Sequence, residues 1–251
     1  METYNYQQPF TVGGTIDRAW ALTMKHFPVF LLLTILGFIV SSIVQLIYYV
    51  PYIEMLATYG SGITEEEWLA TMFADDDVWS WFSWLIVAVI FTFFANNYLV
   101  VVGCRMLNAA VRGNKVDMTL ELKDARHTFW FYLGAYIVYS VIVMAGTIFC
   151  VIPGIFLGVR LMFVPMIASN HPEIPFSEAF SRSWKMTEGH FWRLFGLGIV
   201  MILLNIVGLI FCCIGYLLTI VITSLAYACA YNSLSPIESE PVVEEVVIEQ
   251  Q

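Results

Sequence analysis

Charge is scarce in this chain. Asp, Glu, Lys and Arg make up only 12% of its 251 residues, about half the share of an average soluble domain. Apolar residues fill 59%, which excludes an ordinary water-soluble globule. Basic residues are scarcer than acidic ones: 11 Lys and Arg stand against 20 Asp and Glu, a net charge of −9. That balance excludes a nucleic-acid binder, which needs a basic patch to meet phosphates. Catalytic signatures are missing as well. No Gly-x-Ser-x-Gly, HExxH or phosphate-cradling glycine loop occurs. No catalytic residue, metal ligand or cofactor is therefore assigned, and the chain reads as non-enzymatic. Five cysteines (Cys104, Cys150, Cys212, Cys213, Cys229) lie in or beside apolar runs, without CxxC or Cys/His spacing for zinc. They read as buried free thiols, with a disulfide from Cys150 to Cys212 or Cys213 as the alternative. The first 26 residues lack the basic start, short apolar core and cleavage site of a signal peptide. The first apolar run is therefore expected to remain as a span.

Long uncharged runs take up most of the chain. Phe27 to Val50 is 24 residues without a charge, enough at about 1.5 Å per residue to cross a hydrocarbon core of roughly 30 Å. A short amphipathic helix precedes it from Thr15, with Ile16, Trp20, Thr23, Met24 and Phe27 on one stripe. Pro51 is expected to close the run. Residues 51–78 form an acidic loop without Lys or Arg. Within it, Thr64 and Glu67 make a capping-box pair that predicts a helix from Thr64 to about Phe73. The loop lacks the ligand spacing and central glycine of a calcium site, so it reads as a solvated face. A second span, Trp79 to Gly103, opens on the interface aromatics Trp79, Trp81 and Trp84. Arg105, near its far end, reads as snorkelling to head groups.

A second surface helix is expected near Asp117, followed by a third span, Phe129 to Cys150. Pro153-Gly154 reads as the reversal before a fourth span, Ile155 to Ser169, which contains Arg160 and Pro165. After a linker, Phe176, Phe180 and Trp184 recur every four residues between Glu178, Arg182, Lys185 and Glu188. This pattern predicts a third surface helix, Phe176 to Gly189, with an aromatic stripe toward the apolar side. A fifth span, Phe191 to Phe211, leads through a tight turn at Cys212 to Gly215 into a sixth, Tyr216 to Tyr231.

The expected fold is all-α: a polytopic membrane protein with six transmembrane helices in three hairpins, each preceded by an amphipathic helix. Residues 1–14 read as a flexible lead, 15–232 as one membrane domain and 233–251 as an acidic tail. Nine basic residues between Arg18 and Arg193 fall on one side of this arrangement, and none falls on the other. The positive-inside rule then places both termini in the cytoplasm, and the chain in the cytoplasmic or inner membrane.

Internal similarity supports three copies of one unit, at about 15–111, 117–170 and 175–232. At an offset of 164, Arg18-Ala19-Trp20 aligns with Arg182-Ser183-Trp184, and His26-Phe27 with His190-Phe191. At an offset of 62, Phe129-Trp130 aligns with Phe191-Trp192, Gly134 with Gly196, and Gly146 to Cys150 with Gly208 to Cys212. Every copy starts and ends on the same side, so the repeats are parallel. The glycines are expected to let helices approach closely.

The run Pro175 to Trp192 (PFSEAFSRSWKMTEGHFW), preceded by Ile152-Pro153-Gly154-Ile155 and Arg160, resembles a large group of bacterial six-span proteins. That group includes the membrane domain fused to some glycerophosphodiester phosphodiesterases and related inner-membrane proteins. The likeness is best over 145–232. It implies fold and location rather than chemistry, because no segment here resembles the phosphodiesterase barrel.

A few polar residues stand out against this apolar background. Arg160 lies at membrane depth, where a charge costs about 2.5–3.5 kcal/mol on insertion scales. It either pairs with Asn96, Asn97 or Asn205, or meets an anionic ligand or lipid phosphate. Arg182, Lys185 and Arg193 form a basic cluster suited to anionic head groups. His26 and His190 share one repeat position and read as interfacial side chains or as a titrating pair. The expected partners are the lipid bilayer, anionic head groups and a membrane protein. Two functions fit: a non-enzymatic protein that organises lipid or binds a partner, or a small permease with a path near Arg160.

Overall fold

The computed structural model is built of helices alone among its described residues, which are 10–59, 64, 66–67, 70, 76–210 and 212–235. The helices are α1 Val12–Tyr59, α2 Asp76–Val111, α3 Met118–Phe149, α4 Val151–Arg160, α5 Val164–Asn170, α6 Phe176–Thr187, α7 Phe191–Ile210 and α8 Cys212–Leu234. Six stretches are long and apolar enough to cross a membrane: Val12–Leu46, Phe82–Val111, Met118–Phe149, Val151–Asn170, Phe191–Ile210 and Gly215–Leu234. The chain is therefore an all-helical, multi-pass membrane protein.

Side chains are sorted as a lipid solvent requires. Large apolar residues point outward: Phe149 is 90% exposed, Trp192 78% and Phe38 68%. Small residues such as Ala19, Ala135, Ala168, Ala179 and Ala226 are fully buried, together with Thr23, Ser183 and Thr187. In hydrocarbon, apolar bulk gains little from burial, so close backbone approach through small residues decides the packing.

The chain divides into two compact units, Leu32–Val100 and the remainder, Met1–Leu31 with Val101–Gln251. In the first, Asn96 Nδ2 donates to Ser41 Oγ at 3.2 Å, joining α2 to α1. Asn97 turns back on its own helix and donates to the Phe93 carbonyl at 2.8 Å. α1 runs through Pro51 to Tyr59 instead of ending there, since a proline removes one intrahelical bond without ending a helix whose other bonds persist. The connection is correspondingly shorter than the expected loop 51–78. Its capping box is present: the Thr64 N–H donates to Glu67 Oε2 at 3.2 Å and the Glu67 N–H to Thr64 Oγ1 at 3.4 Å. Residues 71–75 lie outside the described residues, as do the side chains of Trp79 and Trp81.

In the larger unit α3 packs on α4 and α7 on α8. The reversal between α3 and α4 falls on Cys150 alone, held extended at φ −170°, ψ 145°. Pro153-Gly154 lies inside the first turns of α4 rather than forming the turn. Gly154 instead permits contact: a Cβ there would stand 2.2 Å from Thr147 Oγ1 and 2.8 Å from its Cα. Gly208 does the same for the second pair, where a Cβ would stand 2.4 Å from Thr219 Oγ1. Gly196 differs from the expectation, with nothing within 4 Å of a Cβ. Cys150 is an exposed free thiol, so no disulfide leaves it. The Cys212 and Cys213 side chains lie outside the described residues.

The surface-helix boundaries have local causes. α1 bends at His26 (φ −114°, ψ 16°), two residues before Pro28, which cannot donate to the turn before it. α6 and α7 are parted by Glu188 to His190, with Gly189 at φ +75°. Between Asp117 and Phe149 neither device exists, and the expected second surface helix and third span form one continuous α3. The expected lead of residues 1–14 is also shorter, since α1 starts at Val12 and Phe10 is buried; residues 1–9 lie outside the described residues.

Candidate functional site

Pro165 shapes the site. It has no N–H to give Leu161, so the fourth span does not continue as one α-helix. The chain turns through Leu161 to Phe163 and restarts as α5 with Pro165 in its first turn. The Val164 N–H bonds to the Leu161 carbonyl at 3.0 Å, not to that of Arg160. The freed Arg160 carbonyl is taken up by α6: Ser183 Oγ donates to it at 3.0 Å and Thr187 Oγ1 at 3.3 Å. These hydroxyls stand four residues apart and so share one helix face.

The face of α6 that makes this contact is not the aromatic stripe. Its buried residues are Ala179, Ser183, Met186 and Thr187, whereas Phe176 and Trp184 are exposed. The aromatic stripe flanks the contact instead of forming it. Phe176 stacks on Phe131 of α3, ring centroids 4.6 Å apart, over Gly134, where a Cβ would come within 2.9 Å of the ring. Trp184 meets Phe156 of α4 edge-on at 5.9 Å.

The Arg160 side chain lies against this aromatic pair. Its guanidinium carbon is 5.2 Å from the Phe156 ring centre and 5.1 Å from that of Trp184. Nε and Nη1 are buried and have no hydrogen-bond partner among the described residues. Cation–π contacts contribute about 0.5–2 kcal/mol. A buried charged donor left without a partner costs at least about 1–3 kcal/mol. The rings hold the charge in place but give its N–H groups no acceptor. The arrangement is chemically suited to an anionic oxygen, above all a phosphate, which Arg binds through paired N–H groups.

None of the three expected Asn partners supplies that acceptor. Asn96 and Asn97 are bonded as described above. Asn205 Nδ2 donates to the Met201 carbonyl and to Thr223 Oγ1, each at 2.8 Å.

The expected basic cluster is partly committed elsewhere. Arg182 is paired with Glu178, one turn earlier on α6. Arg193 Nη1 donates to the Phe10 carbonyl at 3.1 Å, fixing the start of the described chain. Lys185 is exposed, and its ammonium forms no ion pair or hydrogen bond among the described residues. His26 and His190 both lie at helix junctions, but each ring has its own neighbour. His26 is edge-on to Phe30 at 6.4 Å, His190 edge-on to Phe10 at 6.2 Å.

Sequence reasoning missed a polar niche at the end of α2. Arg105 does not reach outward: its Nε donates to Glu121 Oε2 at 2.8 Å, and Asp124 lies 3.5 Å from Nη2. Asn108 Nδ2 donates to Asn170 Oδ1 at 3.0 Å. These groups line a hollow of about 180 Å³ with Arg112, Asn114 and His171. The one available sequence signal was the pair of acidic residues on the first turns after Asp117. Among the described residues no three His, Cys, Asp or Glu side chains gather as a metal-binding group. No family model, curated protein or solved structure matches the chain.

Proposed function

We propose that this is a non-enzymatic integral membrane protein that binds anionic lipid head groups on its basic face, with Arg160 as the principal anion contact. The observation that carries the reading is the Arg160 guanidinium: it lies between Phe156 and Trp184, and two of its nitrogens are buried without an acceptor. A lipid phosphate supplies the missing charge and acceptors together. Exposed Lys185 is the second basic group available to such a head group. The orientation belongs to the same proposal. Its support is the concentration of basic residues on one side of the expected spans, which by the positive-inside rule favours the cytoplasm for that side and for both termini. The three-copy architecture belongs to it too, supported by the close approaches at Gly146–Gly154 and Gly208–Thr219.

The test is native mass spectrometry of protein equilibrated with mixed phosphatidylglycerol and phosphatidylcholine. The wild type is expected to retain phosphatidylglycerol preferentially. Arg160→Gln is expected to weaken that retention by roughly tenfold to a hundredfold, the equivalent of about 1.5–3 kcal/mol for hydrogen bonds to a charged group. Equal retention by both proteins would remove Arg160 from the site.

A further inference from the structure

A second cavity in the larger unit lies apart from the Arg160 site. It measures about 440 Å³, within the roughly 300–1,000 Å³ of ligand pockets. Its walls come from α4, α7 and α8, with contributions from α2, α3 and α5. Ile155, Val159, Met162, Leu194, Phe195 and Ile202 supply much of the lining. Arg160 and Phe156 point to another side of α4: Val159 is about 100° around the helix from Arg160, and Gly158 about 200°.

Three features define the character of this cavity. Its walls lie on spans long and apolar enough to be in the bilayer, and its lining is predominantly apolar. It is continuous with the lipid-facing surface, since Ile155 and Ile202 line it while remaining 46% and 61% exposed. Two glycines widen it: a Cβ on Gly158 would meet nothing within 4 Å, and one on Gly198 only the Tyr227 hydroxyl at 3.8 Å. Leucine at either position would have projected into the space and filled it. A vacancy in such a wall forfeits dispersion contacts, and the surrounding molecules able to enter it sideways are hydrocarbon chains.

We propose that this cavity is a slot for one acyl chain of a membrane lipid, entered laterally between α4 and α7. The inference rests on the lipid-binding reading above but uses a different face of α4, so the two fail separately. The slot selects a chain and is indifferent to head-group charge, whereas Arg160 selects a phosphate. Tyr139, Tyr227 and Ser224 are the polar points of the wall. Ser224 donates its hydroxyl to the Ile220 carbonyl at 2.9 Å, so it presents no free donor to the slot.

The experiment is photolabelling in phosphatidylcholine vesicles containing a small fraction of phosphatidylcholine with a diazirine in one acyl chain. Labelled residues are mapped by peptide mass spectrometry. In the wild type, labelling of slot residues on α4, α7 and α8 is expected to exceed that of outward residues such as Ile148 and Trp192. Gly158→Leu and Gly198→Leu are each expected to lower slot labelling severalfold, and Arg160→Gln to leave it unchanged. Wild-type labelling no stronger in the slot than at Ile148 and Trp192 overturns the proposal without recourse to any variant. Undiminished slot labelling in a leucine variant that retains wild-type helicity by circular dichroism overturns it equally. Loss of phosphatidylglycerol preference in Arg160→Gln with slot labelling intact supports both readings; its retention there, with the label still in the slot, sinks the head-group site alone.

Discussion

Arg160 carries two separate duties on one residue. Its backbone carbonyl, released by Pro165, ties α6 to α4 through Ser183 and Thr187, while its side chain lies between two rings. Replacing the side chain therefore removes the charge without removing the carbonyl, which is why Arg160→Gln is a fair probe of binding. Asp117 shows a simpler residue-scale effect. As the N-cap of α3, its Oδ1 accepts from the Thr119 N–H at 2.9 Å and from the Thr119 hydroxyl at 2.7 Å. These bonds, the hydroxyl first, hold its pKa below the ordinary value of 3.8. The charged form is favoured by folding, so the stabilisation is complete above 3.8 and disappears as the pH falls through the depressed value. Thermal melts in detergent should show Asp117→Ala less stable than the wild type at neutral pH, with the gap closing as the pH falls below 3.8. A gap constant across the range would mean that the carboxylate does not cap.

At the scale of elements, the pairs α3–α4 and α7–α8 depend on contacts that admit no side chain. The Gly154 position faces Thr147 backbone atoms at 2.8 and 2.9 Å from an added Cβ, and backbone cannot rotate away. Gly154→Leu should destabilise the protein by about 1–3 kcal/mol or more, as overpacking does. Gly196→Ala, where a Cβ meets open space, should change little. Denaturation in mixed micelles compares them, and equal stability of the two variants would refute the contact. The junctions between surface helix and span were readable wherever a breaker is encoded: Pro28 bends α1 near His26, and Gly189 parts α6 from α7. Between Thr128 and Phe129 no breaker is written, and apolar patterning alone misplaced a boundary inside a continuous helix. The aromatic stripe of α6 was legible from its four-residue spacing, but the small-residue face beside it was not. Large aromatics mark the buried face of a helix in water, but in lipid they face outward, and Ala179 and Ser183 make the contact.

For the whole molecule, the proposed orientation rests on how charge is distributed along the chain. The acidic segment between α1 and α2 and the basic groups from Arg105 to Arg126 should be reached by reagents from opposite sides. Glu66→Cys and Lys115→Cys, each in a variant lacking the five native cysteines, test this with an impermeant maleimide on intact cells. Labelling of Glu66→Cys before lysis, and of Lys115→Cys only after it, is the expected result. The reverse order would invert the proposed orientation, and labelling of both before lysis would break the six-span arrangement.

Membrane insertion, the six apolar spans and the Thr64–Glu67 cap were determined by sequence alone, because hydropathy and capping depend on residues near one another in the chain. The partners of Arg105, Arg160, Arg182 and Arg193 had a different origin. A carboxylate one turn away along α6 was within reach of sequence reasoning for Arg182. The Glu121 bonded to Arg105, the Trp184 ring beside Arg160 and the Phe10 carbonyl bonded to Arg193 were brought there by packing. So was the cavity: Gly158 and Gly198 are 40 residues apart in sequence, and only folding makes them walls of one space. An isolated basic residue or glycine carries no record of what will stand opposite it, and in hydrocarbon, where apolar bulk no longer marks the interior, tertiary structure had to decide.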